Sequence, residues 1–215
     1  MDPIETTVAA VREVGPDAVA IDLDTPPAFD AEPGQFVKLT ATVGGEDESR
    51  FYTVSSPNTD DTFEFTISYD PEEGGAFSEY LLNLELGDTV AITGPFGDDY
   101  YEDENRAVVL AGGPGIGPAV AIAERALAEG NEAAIVYRDD TPLHEERLSN
   151  IANAGASVFV LSEDESLTDA VADVLTNADG EQVFVYGFAD FLEDATAAIE
   201  AAGGDADAAK AENFG

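Results

Sequence analysis

Along the first hundred positions, apolar and polar residues alternate in short runs broken by turn residues. The runs are TTVAAVREV (6–14), AVAIDLD (18–24), QFVKLTATV (35–43), RFYTVSS (50–56), TFEFTISY (62–69) and DTVAITG (88–94). A two-residue period sends one side of a strand to a core and the other to water, and TFEFTISY keeps that period most strictly. Strands at this spacing, separated by GPD, PPAFDAEPG, VGGEDE and PNTDD, predict a small antiparallel barrel or sandwich. One short helix fits GAFSEYLLNL (75–84).

Beyond the acidic DDYYEDEN (98–105) the period changes. AVVLA (107–111) is a continuous apolar strand, followed by glycines and a helix to about Glu129. AAIVYR (133–138), a helix over 142–155, ASVFVLS (156–162), a helix over 167–178, EQVFVYG (181–187) and a helix over 191–203 complete the alternation. Strands apolar on both faces and alternating with helices predict a parallel sheet covered on both sides. The expected division is 1–99 and 100–215. The tail GGDADAAKAENFG follows neither period.

AGGPGIGPAV, 111–120, links the first strand of the second half to its helix. It is neither a dinucleotide G-x-G-x-x-G nor a Walker loop, since no lysine ends it. Its position is still suggestive, because ligands of open parallel sheets sit at the carboxyl ends of strands. Gly112 and Gly113 suit a tight turn with positive φ. Gly115 and Gly117, with Ile116 between them, would open backbone N–H groups to a pyrophosphate. Pro118 suits a first helical position. A strand–helix turn that needs glycine for geometry alone is the competing reading.

Composition narrows the partners. Against 46 Asp and Glu stand 8 Lys and Arg, a formal charge of −38 spread along all 215 residues. Apolar residues make up 44%, enough for an ordinary core. So acidic a surface repels itself unless salt screens it, and the Debye length falls to about 3 Å at 1 M. A halophilic, cytoplasmic protein is the expectation, as a monomer or weak homo-oligomer. Nucleic acid and anionic membranes are poor partners for this charge. Without cysteine the chain has no disulfide, thiol nucleophile or cysteine-held cluster. No apolar run approaches 18 residues, and MDPIETTVAA lacks a signal peptide's positive flank. A single histidine, His144, reads as a surface or capping residue. No metal site is expected.

RFYTVSS, GGAFSEYL, ITGPFG, AGGPGIGP and AENFG, in that order, resemble the ferredoxin–NADP reductase-like family of flavin oxidoreductases. The resemblance covers nearly the whole chain. It implies a flavin-binding antiparallel β-barrel followed by a nicotinamide-binding α/β domain. It also implies a bound FAD and NADH or NADPH as co-substrate. Within the R-x-Y-[ST] motif, Arg50 would pair with the flavin pyrophosphate, Tyr52 pack on the isoalloxazine, and Thr53 lie near the reactive nitrogen. Gly75, Ala76, Phe77 and Ser78 would form a second pyrophosphate contact, with a capping serine as the rival for Ser78. Tyr69 would stack on adenine. Glu212 and Phe214 would lie near the flavin, although a frayed tail is the alternative at this end. Where the family commonly has Cys-Gly-Pro beside the nicotinamide, this chain has Tyr186, Gly187 and Phe188.

The implied activity is hydride transfer between NAD(P)H and flavin, with electrons passed to a ferredoxin or similar carrier. An electron-transfer subunit of a larger complex, a free-flavin reductase and a non-catalytic binding protein are the alternatives. Coenzyme choice turns on the end of the second α/β strand, where the adenosine ribose belongs. Arg138 suits a 2′-phosphate, whereas Asp139 and Asp140 suit a free 2′-hydroxyl, and the balance favours NADH.

Overall fold

The computed structural model describes residues 2–69 and 75–215. Six strands form the first half: β1 (Ile4–Gly15), β2 (Ala18–Asp24), β3 (Phe36–Val43), β4 (Glu46–Thr53), β5 (Thr62–Ser68) and, after the short helix α1 (Ala76–Leu82), β6 (Thr89–Phe96). They pair antiparallel in the order β4-β3-β6-β1-β2-β5. A bridge between Val54 and Phe65 joins the two edges and closes the barrel. Phe63, Phe65 and Ile67 of β5 enter its core beside Val37, Leu39, Ile92 and Phe77. Gly74 of the GGAFSEYL stretch lies outside the described residues.

β4 begins four residues earlier than its apolar pattern indicates. Gly44 and Gly45, at φ +62° and +92°, make a two-residue hairpin turn, and Val43 pairs with Glu46. That geometry favours positive φ at both central positions, so the acids of EDE continue the ladder instead of forming a loop. The strand also ends earlier, because Val54 and Ser55 cross over to β5.

The chain then enters the parallel sheet: β7 (Arg106–Gly112), α2 (Ile116–Glu129), β8 (Glu132–Arg138), α3 (Glu145–Asn153), β9 (Ser157–Leu161), α4 (Leu167–Val174), β10 (Glu181–Gly187), α5 (Ala189–Ala201) and β11 (Lys210–Asn213). Strand order is β11-β10-β7-β8-β9, all parallel. Alternate residues of β7 pack to opposite sides. Val109 and Ala111 meet α2 and α3, and Val108 and Leu110 meet α4 and α5. α4 stops at Val174, four residues short of expectation. There Arg106 donates to the Val174 carbonyl at 2.9 Å, and Glu181 accepts from the backbone N–H groups of Thr176 and Asn177. The aperiodic tail is not frayed. β11 pairs with β10, Tyr186 opposite Glu212 and Gly187 opposite Asn213. No helix among the described residues is long and apolar enough to cross a membrane.

Candidate active site

Two features bring the halves together at one cleft. From β7 the chain moves outward through β8 and β9, then returns to β10 on β7's other side. Strand order therefore reverses between β7 and β10, and the crevice at their carboxyl ends is where open α/β sheets bind nucleotides. Above it stands the end of β4. A cleft of about 460 Å³ is lined by Arg50, Tyr52, Thr53 and Ser78 of the barrel and by Pro114, Pro118, Phe188, Glu212 and Phe214 of the α/β half. Among its described lining residues Arg50 is the sole cation and Glu212 the sole acid. On a chain of charge −38 this near-neutral lining is a local exception.

Thr53 donates to Glu212 Oε2 at 2.9 Å, linking residues 159 apart in sequence. Burial, with a smaller push from Asp99, raises the Glu212 carboxyl to about 7, against the opposing pull of the Thr53 hydrogen bond. Tyr52 stacks on Phe77 at a centroid distance of 6.4 Å. Burial raises its phenol, and its hydroxyl meets Ser78. Ser78 is thus not the cap of α1, whose N-cap is Gly75 with no side-chain cap bond. Phe77 is a core residue, 1% exposed, while Gly75 and Ala76 are exposed. The Arg50 guanidinium lies 5.9 Å from the Phe77 ring centre and donates to the Ser49 carbonyl at 2.8 Å. Its carboxylate neighbour among the described residues, Glu48, is 3.7 Å away. Tyr69 is half-buried and does not line the cleft.

The glycine stretch works differently from its sequence reading. Gly113 takes positive φ (+54°), but Gly112 is extended at −118°. A Cβ on Gly112 would sit 2.5 Å from the Phe191 ring, and one on Gly115 only 2.2 Å from the Tyr186 carbonyl. A Cβ on Gly117 would meet Ser55 Oγ at 2.5 Å. Gly112, Gly115, Ile116 and Gly117 are buried, so these glycines permit close packing and only Gly113 and Pro114 reach the surface. Pro118 is the third residue of α2, not the first. Its missing N–H is still one that a helix start leaves without a partner.

Tyr186, expected beside the nicotinamide, is 1% exposed, with its hydroxyl 3.4 Å from the Asp99 carbonyl. Gly187 packs on Phe191 and accepts at its carbonyl from Phe214 N–H at 3.0 Å. It is Phe188, 52% exposed, that reaches the cleft, edge-on to Phe214 at 6.3 Å. Arg138 pairs with Asp194 at 2.8 Å. Asp139 accepts from Thr141 N–H at 2.8 Å and from the Tyr137 hydroxyl at 3.1 Å.

A second seam between the halves lies behind the cleft, and of its members only His144 was singled out in the sequence. Glu64 of β5 accepts from Arg147 at 2.7 Å and from Arg12 at 2.5 Å. Arg147 also holds Glu124 and the Ser55 carbonyl. His144, expected as a surface or capping residue, stands at the N-cap position of α3 without a side-chain cap bond and is 4% exposed, its Nε2 2.8 Å from Thr66 Oγ1. Burial and then the charges of Arg147 and Arg12 pull its imidazole down to about 3, so it is neutral. The one usable signal was the alternation of TFEFTISY, whose polar positions Glu64 and Thr66 proved to be buried.

Residues 5–101 match the model of the oxidoreductase FAD-binding domain family. The flavohem-like FAD/NAD-binding domain of nitric oxide dioxygenase from Vibrio cholerae has the same fold, with a TM-score of 0.86 at 20% identity, covering 100% of both chains. The toluate 1,2-dioxygenase electron transfer component of Pseudomonas putida is 32% identical over 60% of this chain and 38% of its own length. A probable dihydroorotate dehydrogenase B electron transfer subunit of Methanopyrus kandleri is 37% identical over 57% of this chain and 44% of its own. The matched stretches thus cover less than half the length of these two relatives. The chain's likeness is therefore to oxidoreductase FAD-binding domains over residues 5–101 and, in fold, to an FAD/NAD-binding domain over the whole chain.

Proposed function

We propose that residues 1–99 hold FAD, that residues 100–215 receive NADH, and that electrons leave singly to a ferredoxin or similar small carrier. The near-neutral cleft carries this reading, because it joins Arg50 to the Thr53–Glu212 pair at the sheet's switch point. The cleft's volume and its mix of aromatic walls and few polar groups suit such a cofactor. FAD, when bound, supplies a hydride acceptor that can release electrons one at a time. Arg50 offers a planar fork of donors to a pyrophosphate, and the exposed backbone of Gly75 and Ala76 offers further N–H groups. Tyr52 and Phe214 wall the ring site. With a pKa near 7, Glu212 can hold or release a proton at Oε2, and Thr53 orients that oxygen. Tyr69 is kept as an adenine platform, and Gly113 as the place where the nicotinamide pyrophosphate meets backbone. Purification in molar KCl, release of the flavin and its identification by mass test the first step, and bleaching by NADH tests the second. FMN, or no flavin at all, would overturn the assignment.

The names of both relatives favour a second reading of the output, an electron-transfer subunit within a larger complex. Co-purification of a stoichiometric partner from the native source would select it over a free-standing reductase. The charge of −38 supports a halophilic, cytoplasmic origin. Docking to an acidic carrier would then work only where salt screens the repulsion. Melting temperature should climb from dilute buffer to molar KCl, and a flat series would contradict a salt-adapted fold.

A further inference from the structure

Arg138 stands at the end of β8, opposite Gly112 across the ladder and therefore beside the turn that begins at Gly113. In a parallel sheet this is where the adenosine ribose of a dinucleotide lies, and where a basic residue would admit a 2′-phosphate. Yet the guanidinium is already engaged. Its Cζ sits 5.3 Å from the centre of the Phe191 ring, and its Nη2 donates to Asp194 at 2.8 Å. Phe191 and Asp194 are three residues apart on α5, so one helix face offers an aromatic seat and a counter-charge together. Phe191 is itself locked, packed so closely under Gly112 and Gly187 that neither could carry a Cβ. The Arg138 side chain is 15% exposed and Asp194 57% exposed.

We infer that Asp194 is a specificity-determining residue: it neutralises Arg138 and holds it against α5, so that the site takes NADH and rejects NADPH. This rests on the flavin reductase reading above. A 2′-phosphate arriving here would have to displace Asp194 from Arg138, and would also face the carboxylate of Asp139. That carboxylate keeps acceptor capacity for a free 2′-hydroxyl beyond its bonds to Thr141 and Tyr137. Asp194→Asn retains an acceptor for Arg138 but removes the charge, leaving a net cation at the ribose position.

The experiment compares wild type, Asp194→Asn, Arg138→Ala and the double variant, all carrying flavin in molar KCl. Calorimetric binding of 2′,5′-ADP and 5′-AMP is one readout, and kcat/KM for NADPH and NADH the other. Wild type should favour NADH, and Arg138→Ala should leave the NADPH-to-NADH ratio within about twofold. Asp194→Asn should raise that ratio and the affinity for 2′,5′-ADP by about tenfold, equivalent to about 1.4 kcal/mol, with 5′-AMP unchanged. The double variant should lose the gain. An unchanged ratio in Asp194→Asn overturns the inference. So does a gain that survives in the double variant, or a wild type in which Arg138→Ala abolishes NADPH use. Each of these leaves the reductase reading intact if NADH still bleaches the flavin. Wild type that binds neither nucleotide and is bleached by neither donor sinks the reading, and the inference with it.

Discussion

The two seams between barrel and α/β sheet are built from similar residues for opposite ends. At the rear seam every strong charge has a protein partner: Glu64 with Arg147 and Arg12, and Arg147 with Glu124 as well. At the cleft, Arg50 has one carboxylate neighbour among the described residues, 3.7 Å away, and its side chain is 56% exposed. A buried ion cluster fixes how two domains meet, while a cation left near a concave wall is available to a ligand. Position relative to the seam, more than residue type, separates structure from function here.

Breaking the rear seam should have the largest effect. Arg147→Met leaves Glu64 buried with Arg12 as its remaining counter-charge, and losing one partner of a buried pair typically costs about 3–5 kcal/mol. Denaturant unfolding in molar KCl measures it, since burial shelters the cluster from screening. Arg50→Ala should leave the stability of the flavin-free protein within about 0.5 kcal/mol. A loss at Arg50 equal to that at Arg147 would erase the contrast between the seams.

Flavin retention should reverse the ranking. Removing the charge-assisted bond of Arg50 is expected to weaken FAD binding by about 1.5–3 kcal/mol. Arg125→Ala should change it less, because Arg125 is held by Glu129 at 2.5 Å and by the Pro57 carbonyl at 3.2 Å. Equilibrium flavin titration of both variants decides the order.

Effects of at most a few kcal/mol each, at about 1.4 kcal/mol per pKa unit, should separate the seams by pH. The Glu212 carboxyl is raised to about 7, so its contribution to stability is full below the ordinary glutamate range and lost as pH rises through about 7. The His144 imidazole is lowered to about 3, so its contribution is full above 6.5 and lost as pH falls toward 3. Glu212→Gln should remove the first decline. His144→Asn should remove the second, since asparagine tolerates the φ of +55° at that position. Stability curves between pH 4 and 9 would show both. If both variants flatten the same limb, the pH assignment to separate seams is wrong.

Barrel and parallel sheet were legible because a core demands periodicity, and periodicity survives in sequence, whereas Arg50, Tyr52 and Thr53 stood out only through a motif resemblance. The seams were not legible. TFEFTISY reads as a strand with one wet face, and nothing local to Glu64 or Thr66 says that Arg147 and His144, some eighty positions on, will cover that face. The glycines misled for a related reason. Gly115 and Gly117 look like ligand cradles, but the atoms that forbid their side chains are the Tyr186 carbonyl and the Ser55 and Thr66 hydroxyls. Tyr186 misses the cleft because the pleat of β10 turns it inward, and the next turn releases the ring of Phe188 there instead.

The chain has two lysines, Lys38 and Lys210. The ammonium of Lys210 is ringed by the Tyr100 carbonyl at 2.6 Å and by Glu102 and Glu104 at 2.8 and 2.9 Å, two residues before Glu212 on β11. An amine so held is a poor nucleophile toward acylating reagents while β11 stays docked. Differential labelling of the two lysines is therefore a built-in chemical reporter of whether the last strand is seated. It can be read by peptide mass under the same salt conditions that the fold requires.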